Sequence, residues 1–212
     1  MRIAVTGGTG FLGGRVVSEL ASRGIEPVII DLRPPMTAEY EFVQADVRDR
    51  TLVETALKGC DAVYHCAAVA DLDDARRDPR SAIDVNVLGT LSVLEASATA
   101  GVGRFMHASS VYVFARGGSV YRTTKQAAEH LVEDLSEQWG LSSTILRFGS
   151  LYGPGADRNN AILRLVTQAI ESGRIDFWGN GTEIREYIHI SDAASLAVDA
   201  LDERFVGECI HI

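Results

Sequence analysis

Two clusters in this sequence have the residue types and spacing to do chemistry. The first is Thr6–Gly13 (TGGTGFLG), in which Gly8, Gly10 and Gly13 form G-x-G-x-x-G and Gly7, Gly10 and Gly13 form G-x-x-G-x-x-G. Glycines at these intervals let a backbone approach a pyrophosphate and let a helix pack closely on a strand. If the turn opens a helix, phosphates lie at its positive end, against the free N–H groups around Phe11, Leu12 and Gly13. The spacing alone also fits an ordinary turn. The second cluster is Tyr121 and Lys125, preceded by Ser109 and Ser110. An i, i+4 spacing puts the phenol and the ammonium on one helical face. A tyrosine that must exchange a proton near neutral pH has to come down from about 10, and a cation within ~4–6 Å can do that.

The elements around these clusters give them context. Short apolar runs at Arg2–Thr6, Pro27–Asp31, Glu41–Ala45, Ala62–Cys66, Arg104–Ala108 and Thr144–Phe148 predict buried strands. Between them, Phe11–Arg23, Arg50–Leu57, Ser81–Ala100, Tyr121–Trp139 and Ala161–Glu171 carry apolar residues at helical period. This alternation predicts an α/β fold of Rossmann type, a doubly wound parallel sheet with helices on both faces. The glycine turn would then join the first strand to the first helix. Asp31 would close the second strand about 20 residues on, where a carboxylate accepts from adenine-ribose hydroxyls. That predicts a dinucleotide, and NAD over NADP. Arg33 stands close enough to accommodate a 2′-phosphate, and Asp31 could instead cap a turn. Ser109 and Ser110 would end a strand at the carboxyl edge of the sheet, where open parallel sheets bind ligands. The expected division is a cofactor domain over 1–150 and a small C-terminal substrate lobe over 151–212, its elements interleaved with the last sheet strands. The change of character falls at Tyr152–Gly155. Gly207–Ile212 looks like a further strand; whether the lobe is short or truncated stays open.

Taken together, these residues resemble the extended short-chain dehydrogenase/reductases of the NAD-dependent epimerase/dehydratase family. The resemblance covers nearly the whole chain: Thr6–Gly13, Asp46-Val47, His65–Ala68 (HCAA), Asp78-Pro79, Asn86–Thr90 (NVLGT), Ser109-Ser110, the Tyr/Lys pair, Leu151–Gly155 (LYGPG) and Trp178–Asp192 (WGNGTEIREYIHISD). It implies that Tyr121 is the general acid/base, that Lys125 lowers its pKa and binds the nicotinamide ribose, and that Ser110 hydrogen-bonds the reacting oxygen. Asp46 and Val47 would border the adenine, and Ala67 and Ala68 the pyrophosphate and ribose. Arg185 and Ser150 would meet the substrate phosphates, although Arg185 could equally form a surface ion pair with a neighbouring glutamate. Asn86 is expected to fix backbone geometry. His65 and His107 are expected in the core with one satisfied nitrogen each; His189 falls in a strand-like stretch beside Arg185, where a role in the site is the lesser alternative.

The chain also departs from the family. Val111 and Tyr112 follow Ser110 where the sugar 4,6-dehydratases carry an acidic pair, which disfavours dehydration. The stretch from Ser110 to Tyr121 is short, and Ser150 replaces a common asparagine. The resemblance therefore implies a nucleotide-sugar epimerase working by transient oxidation with bound NAD. Two alternatives are a net NAD(P)-dependent reductase or dehydrogenase and a non-catalytic NAD-bound scaffold or redox sensor. Relatives pair the helices expected over Ser81–Ala100 and Tyr121–Trp139, so a homodimer is expected. The net charge of −9 argues against nucleic acid and anionic membranes as partners. The odd set Cys60, Cys66 and Cys209 without metal spacing suggests reduced thiols and a cytoplasmic protein, with no metal expected.

Overall fold

Strands whose residues are apolar on both faces can be covered only if helices pack on both sides, and the chain adopts that arrangement. A computed structural model describes residues 1–116, 119–177, 179–182 and 184–212. Its main sheet comprises β1 (Arg2–Thr6), β2 (Glu26–Asp31), β3 (Glu41–Gln44), β4 (Ala62–His65), β5 (Arg104–Ser110), β6 (Ser142–Phe148) and β9 (Cys209–His211). They run in the order β3-β2-β1-β4-β5-β6-β9, and each neighbouring pair is parallel. Strand β9 realises the expected Gly207–Ile212 strand. Alternate residues feed two cores. Ala4 and Val63 face α2 (Arg50–Leu57), α5 (Gly89–Ala100) and α6 (Val120–Trp139). Ile3, Val5 and Tyr64 face α1 (Phe11–Ser22) and α8 (Ile190–Asp199). The doubly wound parallel sheet is present.

The long helix expected over Ser81–Ala100 is instead a helical run in three parts. Asp78 caps α4 (Pro79–Ile83), a π-helical turn covers Asp84–Leu88, and α5 follows. Asn86 is buried in that wide turn, where its Oδ1 accepts from Val69 N–H at 2.7 Å. Its Nδ2 donates to Val69 O and to Thr124 Oγ1, each at 3.0 Å. These bonds tie the turn to the loop after β4 and to α6, the backbone role expected of Asn86. Two helices escaped the sequence reading: α3 (Leu72–Arg77), a single capped turn and a half, and α8. The latter buries a small alanine face at 193, 194 and 197 and follows directly on a short strand, Tyr187–His189.

After β6 the chain leaves the main sheet. β7 (Ser150–Tyr152) pairs with β8 (Tyr187–His189) in a separate parallel ribbon, and α7 (Ala161–Ser172) lies between them in sequence. No residue of α7 is buried; Ile170 is 79% exposed. The chain then returns through α8 to β9 in the main sheet. Among the described residues, no helix is long and apolar enough to cross a membrane.

Candidate active site

Because the strands are parallel, the ends of β1, β2, β4 and β5 share one edge. At β1 the chain turns through Gly7, at φ +68°, a conformation L side chains rarely adopt. A Cβ on Gly7 would lie 2.7 Å from Ala67 N, and one on Gly13 only 2.2 Å from Gly7 O. The turn after β1, the loop after β4 and the start of α1 are therefore in contact only because these positions lack side chains. Gly10 caps α1 without any side-chain hydrogen bond to the helix. The first-turn N–H groups at Phe11, Leu12 and Gly13 receive no capping side chain, and Thr9 Oγ1 is buried without a partner. That is the chemistry of an anion cradle.

Asp31 ends β2 beside this turn. One carboxylate oxygen accepts from Thr9 N–H at 3.1 Å and the other from Arg33 N–H at 3.2 Å. The carboxylate thus braces the turn, and each oxygen keeps a lone pair for a ligand hydroxyl. Asp46 is held by Arg48, with their salt-bridging atoms 2.5 Å apart, and the guanidinium keeps its carboxyl below the usual range. Val47 is buried close to Gly89, where an added Cβ would fall 2.9 Å from Val47 Cγ2. Ala67 and Ala68 follow β4 on the same edge, half-buried.

Ser109 and Ser110 end β5 at the carboxyl edge, as expected, and Ser119 caps α6 just ahead of Tyr121. Tyr121 is 9% exposed. Burial pushes the phenol up to about 12, against the downward pull of the nearby Ser110 hydroxyl. The lowering expected from Lys125 is not what this arrangement gives. The Lys125 ammonium is buried and donates to Ala108 O at 2.7 Å, and burial brings it down to about 8, while Cys66 and Glu129 pull it upward. A lysine so placed can lose or keep its proton near neutral pH.

Several positions depart from expectation or were missed. His65 has both nitrogens engaged, with Thr6 Oγ1 at 2.8 Å and Thr90 Oγ1 at 3.0 Å. His107 has neither nitrogen paired, since its strand neighbours on that face are apolar or already bonded. His189 caps α8 by accepting from Ser191 N–H at 3.3 Å, and is held there by the strand-to-helix turn. Ser150 opens β7, its N–H bound to Glu186 O at 2.7 Å. Arg185 donates to Tyr112 Oη at 3.2 Å, and the Tyr112 ring stands edge-on to that of Tyr121. Trp178, which belongs to the late signature, lies outside the described residues, as does Glu183.

The buried carboxylate of Glu129, one turn after Lys125, was not singled out from the sequence. It accepts from Ser109 Oγ at 2.5 Å and forms two bonds with Arg147, at 2.9 and 2.6 Å. The available signal was an acid four residues after Lys125 and eight after Tyr121, on the face the helix buries.

A model of the NAD dependent epimerase/dehydratase family matches residues 3–212. The dTDP-glucose 4,6-dehydratase of Streptomyces antibioticus is 29% identical over 241 aligned residues, covering 100% of this chain and 72% of that protein. Two solved structures superpose over 100% of the chain. The Thermotoga maritima UDP-glucose 4-epimerase with UDP-glucose is 26% identical, with a TM-score of 0.89 and 76% of its length covered. The Thermus thermophilus UDP-glucose 4-epimerase in complex with NAD is 28% identical, with a TM-score of 0.86 and 77% covered.

Proposed function

Since the chain belongs to the NAD dependent epimerase/dehydratase family, we propose that it holds NAD in the Gly7–Gly13 turn and epimerises a sugar carried on a nucleoside diphosphate. The residues present fit such a cofactor: a glycine turn that any Cβ would fill, an orphaned Thr9 hydroxyl, an uncapped helix start and a carboxylate at Asp31. In this reading the α1 N–H groups with Gly7, Gly10, Ala67 and Ala68 hold the pyrophosphate, Asp31 the adenine ribose, Asp46 and Val47 the adenine, and Lys125 the nicotinamide ribose. When bound, NAD supplies reversible two-electron oxidation of a sugar carbinol, which permits return of the carbon in the opposite configuration.

The protein's own part is proton handling and placement. Ser110 hydrogen-bonds the reacting oxygen, and Tyr121 takes its proton and later returns it. A phenol pushed up by burial is a stronger base once ionised, but ionising it near pH 7 requires help. A bound positive ring and a fully protonated Lys125 would provide it. Arg185 and Ser150 face the substrate diphosphate. Residues 1–150 act as the cofactor half, and within 151–212 the substrate-lobe elements are interleaved with α8 and β9 of the main sheet. The free thiols of Cys60, Cys66 and Cys209 suit a reducing compartment such as the cytoplasm. We further propose a homodimer, argued below.

The observation that carries epimerisation over dehydration is the sequence after Ser110. Val111 and Tyr112 offer no carboxylate to remove and return protons during elimination, although curated dehydratases are among the similar proteins. Purified protein incubated with a panel of UDP- and dTDP-sugars should interconvert two epimers with no lasting NADH absorbance. Tyr121→Phe should cut the rate by about 10²–10⁴-fold while leaving the cofactor bound. A product lighter by one water would replace epimerase with dehydratase, and steady NADH formation would make the enzyme a net dehydrogenase. Unchanged turnover in Tyr121→Phe would end the catalytic assignment.

A further inference from the structure

Tyr112 connects three groups that a substrate would have to meet together. Its backbone N–H donates to Ser110 Oγ at 3.2 Å. Its ring packs edge-on against the Tyr121 ring, with centroids 6.3 Å apart, a geometry favoured by the ring quadrupoles. Its hydroxyl accepts from Arg185 Nη1 at 3.2 Å. The residue is half-buried, whereas Arg185 is exposed and lies just before β8, on the far side of the sequence from β5. A free arginine side chain at such a position samples many rotamers, and ordering it costs conformational entropy. A single bond to a fixed phenol removes much of that freedom in advance. It uses one of five guanidinium N–H donors, which leaves the rest of the planar fork for phosphate oxygens.

We propose that Tyr112 is a positioning residue: it holds the Arg185 guanidinium at a set place relative to Tyr121, so that a sugar gripped by its diphosphate presents its reacting oxygen to Ser110 and Tyr121. The proposal rests on the reading of the chain as a nucleotide-sugar enzyme. Through its hydroxyl and its ring, Tyr112 links the substrate-lobe arginine to the phenol of Tyr121.

Tyr112→Phe keeps the ring contact and removes only the hydroxyl, so the fold is retained. UDP, used as the probe in titration calorimetry, should bind about 3- to 10-fold more weakly to this variant than to the wild type. The KM for the accepted sugar nucleotide should rise by a similar factor, with kcat changed less than about twofold. Introduced into Arg185→Ala, the same substitution should add no further loss, because the two residues act as one unit. Unchanged UDP affinity and KM in Tyr112→Phe, or full additivity with Arg185→Ala, would overturn the proposal. So would tighter UDP binding, which would mean that Tyr112 competes with the diphosphate for Arg185. If the wild type binds UDP but turns over no sugar, the epimerase reading fails while calorimetry still decides on Tyr112. If it binds neither UDP nor dTDP, both are overturned.

Discussion

At the scale of single residues, the edge that carries the candidate site is held by a buried charge. Glu129 is 5% exposed on α6, and its two carboxylate oxygens engage Arg147 on β6 and Ser109 on β5. Arg147 in turn lies over the Phe114 ring, its Cζ 4.7 Å from the centroid. Breaking one half of a buried pair leaves the other charge uncompensated, so Glu129→Ala should cost about 3 kcal/mol in urea unfolding. Replacing both partners, Glu129→Leu with Arg147→Met, should recover most of that stability while Ser109 loses its acceptor. If the double variant is as unstable as Glu129→Ala, the charge pair is not the cause. Motif reading found Tyr121, Lys125 and Ser110 because their spacing is local. It passed over Glu129 and saw Tyr112 only as a departure from the family, because their partners Arg147 and Arg185 are 18 and 73 positions away. Only the fold joins them.

At the scale of elements, β4 and β5 place His65 and His107 side by side in register in the middle of the sheet. Burial and the nearby Lys125 bring His65 down to about 3 and His107 well below its ordinary value. Unfolded histidines titrate near 6.5, so between that pH and the folded values the unfolded chain binds more protons. The stability gained by keeping both rings neutral is complete above about pH 7 and is lost as pH falls through 6.5 toward 3. Each ring contributes a slope of about 1.4 kcal/mol per pH unit in that window. Urea unfolding should therefore show a steep loss between pH 7 and 5, and His107→Phe should make it shallower. An equally steep loss in that variant would assign the effect to other groups. These strands were legible because a parallel sheet covered on both sides needs continuous apolar runs, such as Ala62–Cys66. The π-helical turn at Asp84–Leu88 was not legible. It exists to point Asn86 at Val69 and Thr124, contacts between elements far apart in sequence. α8 was missed for a different reason: its small buried face of alanines follows a strand with no turn residue between them.

At the scale of the whole molecule, two groups stand out among the exposed apolar side chains. Ile83 and Leu88 stand out from the helical run formed by α4, the π-helical turn and α5. A second set lies on α7 and the segment after it: Leu163, Val166, Ile170, Ile175, Phe177 and Ile184. Isolated apolar residues on a surface mean little, but contiguous patches mark contacts. The helical run packs on α6 through Asn86 and Thr124, so a partner docked on Ile83 and Leu88 would brace the two helices that carry Asn86 and the Tyr121–Lys125 pair. A two-fold contact is self-complementary, so each copy presents the same patch and one substitution strikes it twice. With a net charge of −9 on each copy, two protomers repel at long range. In the proposed dimer, an apolar contact should therefore strengthen as salt screens the repulsion. Sedimentation at micromolar protein should show a dimer whose affinity rises with ionic strength. Leu88→Glu should convert it to monomer with the secondary structure intact, and Ile170→Glu should leave it dimeric. A monomer at all salt concentrations would remove the dimer, and loss of dimer in Ile170→Glu alone would move the interface to α7.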